Sequence, residues 1–313
     1  MEPLLLSIDV TPKTSGDAER LAEALRVLAS ENVRVGVRRG ARHMTVISAT
    51  SEPDLERVLD RLARRFGVEA EVGRPRVEYR ETVTRSSEAS VKLSIPNGRQ
   101  YAHVAVRVRP GASGSGARLT NATLGGCIPV RFMPSVERGI RNAMNAGPVA
   151  GYPVIDVHVE VYDGSYHRTH STPASFQTAA AAAFLAAAQK ADAIVLAPVM
   201  EVVVRVEDTY GEAVAGDLLA RRGALAGRTR APDQEVVTAH VPLSELFGYE
   251  SSLRELTRAH GTCSIRFLNY RALVQGPDDD QDRDSRVTSP RRPQPHLRTG
   301  AMSVPEPDDA PSI

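Results

Sequence analysis

The chain has 313 residues, of which 42% are hydrophobic and 25% are charged, with a formal net charge of +1 at pH 7. This length predicts two or three domains, and the balanced charge excludes attraction of polyanions through net charge alone. The charge is unevenly spread, because residues 276–313 hold eight acidic residues and five arginines, whereas residues 1–275 hold 34 basic and 30 acidic residues. A local basic patch on the body therefore remains compatible with the composition.

Strand-like runs and amphipathic helices follow the order β-α-β-β-α-β over residues 1–76. The first helix places Leu21, Leu25 and Leu28 on one face, and the second begins after Ser51, a favourable N-cap. This order is the ferredoxin-like, or split βαβ, pattern.

Residues 77–196 differ and predict an α/β domain with a βαβ-like unit. Strand-like runs come first, a helix lies between Pro134 and Gly147, and a second helix begins at Pro173. The glycine-rich stretch GASGSG at 111–116 lacks the Lys-Ser/Thr of a P-loop, and no helix directly follows it. We predict a flexible connection there and no nucleotide site.

The β-α-β-β-α-β order returns over residues 197–275. Here the first helix is predicted to end at Gly223, and the second to cover residues 244–258. The remaining residues, 276–313, are rich in Asp, Pro, Ser and Arg, and are predicted to be a disordered acidic tail.

Cys127 and Cys263 lack the CxxC spacing of zinc sites, so we expect free thiols. The N-terminus does not resemble a signal peptide, and no apolar run reaches membrane-spanning length. We therefore expect a cytoplasmic protein without a membrane partner.

A polar loop, YDGSYHRTHSTPASF at 162–176, contains His167 and His170. A zinc site would need a further ligand from elsewhere, and Asp163, Ser165 and His167 lie too close in sequence to favour a nucleophile triad. The pattern favours a polar contact loop, with an uninvolved surface loop as the alternative.

The turn PNGRQY at 96–101 joins two strands of the same domain. Its Asn-Gly pair is a hairpin signal. Arg and Tyr side chains stack on bases, and Gln bonds to base edges or to the ribose hydroxyl, so the turn is a second candidate contact with RNA.

Long stretches of the chain closely resemble the last three domains of bacterial elongation factor G. Three stretches resemble the fourth domain: RPRVEYRETVT (74–84), QYAHVAVRVRP (100–110) and VERGIRNAMNAGPVAGYPVIDVHVEVYDGSYH (136–167). Two stretches resemble the fifth domain: AGDLLARRG (215–223) and FGYESSLRELTRAHGTCSIRFLNY (247–270). Two others, EPLLLSIDVTPKT and RLARRFGVEAEVGRP, resemble the third domain. The resemblance covers roughly residues 2–273.

This resemblance implies an α+β fold with two ferredoxin-like (βαββαβ) domains, at 1–76 and 197–275. They flank an arm domain at 77–196 that is similar to the second domain of ribosomal protein S5. In this family the tip of the arm reaches the decoding centre of the small ribosomal subunit and helps tRNA and mRNA to move.

The resemblance also implies which residues touch the ribosome, since His167 falls on the family's tip histidine. The predicted contacts with ribosomal RNA are Asn97, Gly98, Arg99, Gln100, Tyr101, Ser165, Tyr166, His167, Arg168, Thr169 and His170. The implied partners are small-subunit RNA, the tRNA–mRNA complex in the A site and the factor-binding region of the large subunit. No catalytic residue, nucleotide site, metal or cofactor is predicted.

Departures from the family leave several functions open. The GTPase domain and the β-barrel that open the family's chain have no counterpart in this sequence, and acidic positions that follow the tip histidine are Arg168 and His170 here. We expect a ribosome-binding protein that is not an enzyme on its own. The alternatives are the C-terminal part of a split or truncated elongation factor that needs a GTPase partner in trans, a competitor or protector of the ribosome, and a paralogue without a ribosomal role.

Overall fold

The computed structural model describes residues 3–31, 35–39, 44–94 and 100–273. The predicted acidic tail and residues Asn97, Gly98 and Arg99 of the hairpin turn lie outside these ranges. The first six elements are β1 (Leu6–Pro12), α1 (Ser15–Glu31), β2 (Val35–Arg39), β3 (Thr45–Ala49), α2 (Glu52–Arg64) and β4 (Ala70–Val72).

These six elements form the predicted ferredoxin-like unit. The strands are ordered β2-β3-β1-β4, and every pair is antiparallel. Leucines of α1 and α2 pack on β1 and β3 because their three- and four-residue spacing puts them on one helical face. Ser51 caps α2 as predicted, since its hydroxyl accepts a hydrogen bond from the Asp54 amide at 3.3 Å.

The last elements repeat this topology. They are β11 (Ala193–Val206), α5 (Gly211–Ala220), β12 (Ala224–Ala231), β13 (Gln234–Pro242), α6 (Tyr249–Leu256) and β14 (Thr262–Ala272). The strands are ordered β12-β13-β11-β14, again antiparallel. The prediction of an α+β fold with two ferredoxin-like domains is thereby confirmed.

Two helix boundaries in this C-terminal unit differ from the prediction. The helix expected over residues 244–258 is a 3₁₀ turn at Leu243–Glu245 followed by α6, because Gly248 takes the left-handed φ of 67° between them. Helix α5 ends at Ala220, and Arg222, not Gly223, has a positive φ. The Gly223 amide bonds back to the Leu218 carbonyl at 3.0 Å.

The middle unit is a mixed sheet covered on one face by two helices. Its elements are β7 (Ser87–Ser94), β8 (Tyr101–Pro110), β9 (Ala117–Asn121), α3 (Met133–Ala146), β10 (Val157–Ser165) and α4 (Pro173–Lys190). The order is β7-β8-β10-β9, with only the β10–β9 pair parallel, so β9-α3-β10 forms the expected βαβ unit. The alanine-rich face of α4 packs closely on the sheet and on α3.

The glycine-rich stretch 111–116, predicted to be a flexible connection, is a loop that Asp156 fastens to the sheet. Its Gly114 and Gly116 amides donate to the buried Asp156 carboxylate, at 3.0 and 2.9 Å, which anchors the start of β9. The sequence did not reveal β9, because this edge strand buries none of its residues and has no alternating apolar pattern.

Two further strands, β5 (Arg76–Val77) and β6 (Arg80–Val83), lie between the first and middle units. Strand β5 pairs with β1, and β6 pairs with the start of β11. The predicted domain limits at 76/77 and 196/197 stay predictions, and β11 crosses the second of them. Within the described part of the chain, no helix combines the length and apolar character needed to cross a membrane.

Candidate nucleic-acid interface

Tyr101, the last residue of the predicted turn 96–101, lies at the same end of the middle sheet as the loop that contains His167. Strand β8 begins at Tyr101 and β10 ends at Ser165, and the antiparallel register pairs Ser165 with His103. The loop that follows β10 therefore lies beside the start of β8. We call residues 163–172 the tip loop.

A bulge in β10 turns the chain into the tip loop. The register with β8 shifts between Val161 and Asp163, and the Asp163 carboxylate accepts a hydrogen bond from the Gly164 amide at 2.7 Å. Gly164 is tightly enclosed, since a Cβ there would lie 2.5 Å from Ile128 and 2.6 Å from the His103 carbonyl oxygen. Only glycine fits this position without displacing its neighbours.

Ser171 closes the tip loop against β8. Its hydroxyl donates to the Tyr101 carbonyl at 2.8 Å and accepts from the His167 amide at 2.9 Å. The Ser171 amide donates to the His167 carbonyl at 3.1 Å, and the Tyr101 amide donates to the His170 carbonyl at 2.9 Å. These main-chain groups are thus satisfied within the protein, which leaves the neighbouring side chains available for contacts outside it.

Four consecutive side chains of the tip loop are exposed, those of Tyr166, His167, Arg168 and Thr169. The imidazole rings of His167 and His170 stack, with centroids 4.2 Å apart and planes inclined by 7°. Thr169 lies against this stack, since its hydroxyl is 3.2 Å from His167 Nδ1. The exposed His167 and the half-buried His170 thus form a planar stack, and the exposed Arg168 follows His167 in the chain.

Ser165 and Tyr101 were predicted to contact RNA, but both are half-buried and bond to each other at 2.7 Å. His103 Nδ1 lies 3.2 Å from Ser165 Oγ, and its Nε2 lies 2.7 Å from Ser90 Oγ. Lys92 Nζ stands 5.4 Å from the centroid of the Tyr101 ring. This chain of polar contacts links the start of the tip loop to β7 and β8. Gln100, which precedes β8, is exposed.

Sequence reasoning missed His103, Lys92 and Ser171 as parts of this site. A signal for Lys92 and His103 was present, because apolar and polar residues alternate in β7 and at the start of β8, and Lys92 pairs with His103 in the register. It also missed the loop at 122–131, which reaches the tip through Ile128. That loop exposes Leu124 and Val130, at 84% and 85% of their surfaces.

Three models of elongation factor G domains match consecutive parts of the chain. The model of domain III matches residues 2–74, that of domain IV residues 75–192, and that of the C-terminus residues 194–281. The chain belongs to the elongation factor G family. The tip loop lies wholly within the domain IV match.

A solved structure supports this assignment over nearly the whole chain. The elongation factor G-like chain is 30% identical to a Thermus thermophilus protein known from its crystal structure, with a TM-score of 0.67. The similarity covers 91% of this chain and 43% of that chain. This elongation factor G-family chain thus spans less than half the length of that relative.

Charge on the open face of the domain IV sheet is distributed unevenly. Arg107 and Arg109 are both paired with Glu160, and Arg107 Nε lies 2.6 Å from Glu88. The Arg107 guanidinium holds the pKa of Glu88 below its ordinary value, while burial raises the pKa of Tyr162. Arg168, by contrast, is exposed and forms no ion pair with an acidic side chain in the described ranges.

The paired histidines have no metal-like arrangement around them. Among the described residues, no group of three or more His, Cys, Asp or Glu side chains could hold a metal ion. The nucleophile triad considered for Asp163, Ser165 and His167 is not assembled either, because Ser165 bonds to Tyr101 and His103 while His167 Nδ1 faces Thr169.

Proposed function

We propose that this chain binds the ribosome through its tip loop, which contacts RNA in the decoding region of the small subunit. One observation carries the proposal. The tip loop satisfies its main-chain groups through Ser171 and β8, yet directs Tyr166, His167, Arg168 and Thr169 outwards. A loop that is held by hydrogen bonds and exposes these side chains, in the region that matches elongation factor G domain IV, is suited to binding a large partner.

The chemistry of these side chains fits RNA. Imidazole and phenol rings stack on unpaired bases, and an unpaired arginine binds phosphate or stacks on a base plane. The His167–His170 stack offers such a plane beside Arg168. We infer contacts with the tRNA–mRNA complex in the A site and with the surrounding small-subunit RNA.

The rest of the chain would then face the large subunit. We infer that the two ferredoxin-like units approach its factor-binding region, as the family match suggests, and that the protein works in the cytoplasm where ribosomes act. Movement of tRNA and mRNA driven by GTP is not assigned to this chain alone, since its matches are to domains III, IV and the C-terminus.

Co-sedimentation with purified ribosomes at several salt concentrations tests the proposal. The wild-type chain should pellet with ribosomes at low salt, and Arg168→Ala should weaken binding and reduce the log–log salt slope by about 1. Arg109→Ala is the matched control, because Arg109 is already paired with Glu160 at 3.0 Å and should change the slope less. Absence of wild-type protein from the low-salt pellet would refute ribosome binding.

A second candidate function follows from the partial match. The matched models are those of domains III, IV and the C-terminus of elongation factor G, so we also propose that the chain works together with a GTPase domain. Addition of this chain to a separately expressed GTPase half should then raise ribosome-stimulated GTP hydrolysis. An unchanged rate would contradict this second proposal and leave the first untouched.

Poly(Phe) synthesis with the full elongation factor distinguishes the roles that ribosome binding permits. Inhibition would identify a competitor for the factor site. Rescue confined to reactions that contain a ribosome-targeting antibiotic would identify a protection protein.

A further inference from the structure

Glu81 on strand β6 is a fully buried carboxylate that is bound by main-chain amides. Its oxygens accept hydrogen bonds from the amides of Val149, Ala150 and Tyr152, at 2.8, 2.7 and 3.0 Å. No cationic side chain pairs with it among the described residues. A buried carboxylate held by three N–H groups is costly to bury and keeps its place only while those donors stay aligned.

This carboxylate joins the middle unit to the C-terminal unit. Strand β6 belongs to the C-terminal sheet, where Glu81 pairs with Val195 of β11. The three amides belong to the loop 147–153, which follows α3 of the middle unit. The carboxylate therefore bridges the C-terminal sheet and a loop of the middle unit.

The main chain of Glu81 strengthens the same joint. Its amide donates to the Pro153 carbonyl at 3.0 Å, and its carbonyl accepts from the Ile155 amide at 2.8 Å. Nearby, the rings of Tyr79 and Tyr152 contact each other with centroids 5.3 Å apart. Side chain and main chain thus hold the loop at several points.

The loop is shaped around the carboxylate. Gly147 ends α3 with a φ of 61°, and a Cβ there would lie 2.7 Å from Glu81 Oε1 and still closer to the Tyr152 carbonyl. A larger residue would push the carboxylate away from its donors. The absence of a side chain at Gly147 thus leaves the space that the Glu81 carboxylate occupies.

We propose that Glu81 is a positioning residue that sets the direction of the middle domain relative to the C-terminal domain. The two chain crossings between these units, at residues 84–86 and 191–192, are short, and they bond to each other through Thr84 and Ala191. Without the hydrogen bonds of the Glu81 carboxylate, only the main-chain bonds and the tyrosine contact would hold the joint, and we expect the angle between the two units to vary more. The inference concerns the protein by itself and does not depend on ribosome binding.

The test measures the distance between two spin labels by pulsed electron resonance. Thr178→Cys on α4 and Glu255→Cys on α6 supply exposed attachment sites in a chain whose two natural cysteines are replaced by serine. Glu81→Gln keeps the size of the side chain but replaces one carboxylate oxygen with an NH₂ group. That NH₂ group would face a main-chain N–H and could not accept its hydrogen bond. Glu88→Gln, on the exposed edge strand β7, is the matched control.

We expect one narrow distance distribution in the parent and in Glu88→Gln, and a broad or shifted distribution in Glu81→Gln. The Val149 and Ala150 amides should also exchange with deuterium about tenfold faster. An unchanged distribution in folded Glu81→Gln would overturn the proposal. If that variant does not fold, Glu81→Asp replaces it, since the shorter carboxylate cannot reach all three amides, and a parent-like distribution there would equally overturn it.

Discussion

Replacing Ser171 with alanine should loosen the tip loop without unfolding the protein. The substitution removes two hydrogen bonds, one to the Tyr101 carbonyl and one from the His167 amide. The Tyr101 carbonyl keeps a second donor, the Ser175 hydroxyl at 3.2 Å, and water reaches the exposed His167 region. We therefore expect a local cost of about 1–2 kcal/mol, near the net value of one or two neutral hydrogen bonds.

Amide hydrogen exchange of His167 measures this local cost. When closing is fast compared with exchange, the rate follows the opening equilibrium, so about 1–2 kcal/mol corresponds to exchange about 5–30-fold faster. Amides in the core of β8, such as that of Val106, should keep their protection because the sheet is unchanged.

Thr178→Ala is the control for Ser171→Ala, since Thr178 is an exposed hydroxyl residue on α4. It should leave the His167 exchange rate at the wild-type value. Equal His167 rates in wild type and Ser171→Ala would refute the reasoning, because the Ser171 bridge would then not hold the loop.

Two stability predictions concern the outer units. Gly211→Ala should lower the free energy of unfolding by about 1–3 kcal/mol, since a Cβ at this start of α5 would strike the buried Glu235 carboxylate. Gly216→Ala in the same helix should raise that free energy by up to about 1 kcal/mol, because a Cβ there meets open space. If urea unfolding showed that both substitutions change the free energy in the same direction, the close approach of Gly211 to Glu235 would be contradicted. In the N-terminal unit, the Thr14 hydroxyl and further donors hold the pKa of Asp17 well below its ordinary value of 3.8. A depressed folded-state pKa stabilises the protein above the unfolded pKa, so stability should fall as the pH drops below about 4, and Asp17→Asn should flatten this dependence in thermal melts at several pH values.

The sequence predicted the two ferredoxin-like units because their information is local. Leu21, Leu25 and Leu28 recur at helical spacing, Ser51 caps a helix, and β-branched residues alternate in the strands. Local pattern also indicated a polar contact loop around His167. Family resemblance, rather than periodicity, suggested what that loop contacts.

Elements that depend on distant partners escaped prediction. Strand β9 buries no residue and is recognisable only by its pairing with β10, while the preceding glycine-rich stretch is ordered by Asp156, 40 residues away from Gly116. Gly248 divides a run that reads as one helix, because a single left-handed residue interrupts an otherwise helical pattern.

By itself, the sequence determined the order of the elements in the two ferredoxin-like units, the faces that their apolar residues bury and the family of the chain. Only the tertiary structure decided which polar side chains at the tip face outwards, because Ser165 and Tyr101 look as exposed as His167 in sequence but bond to each other. Only the tertiary structure, likewise, revealed the role of Glu81. Nothing in the strand sequence around Glu81 indicates that its carboxylate binds three amides about 70 residues further along the chain. Those amides come together around it only in the folded protein.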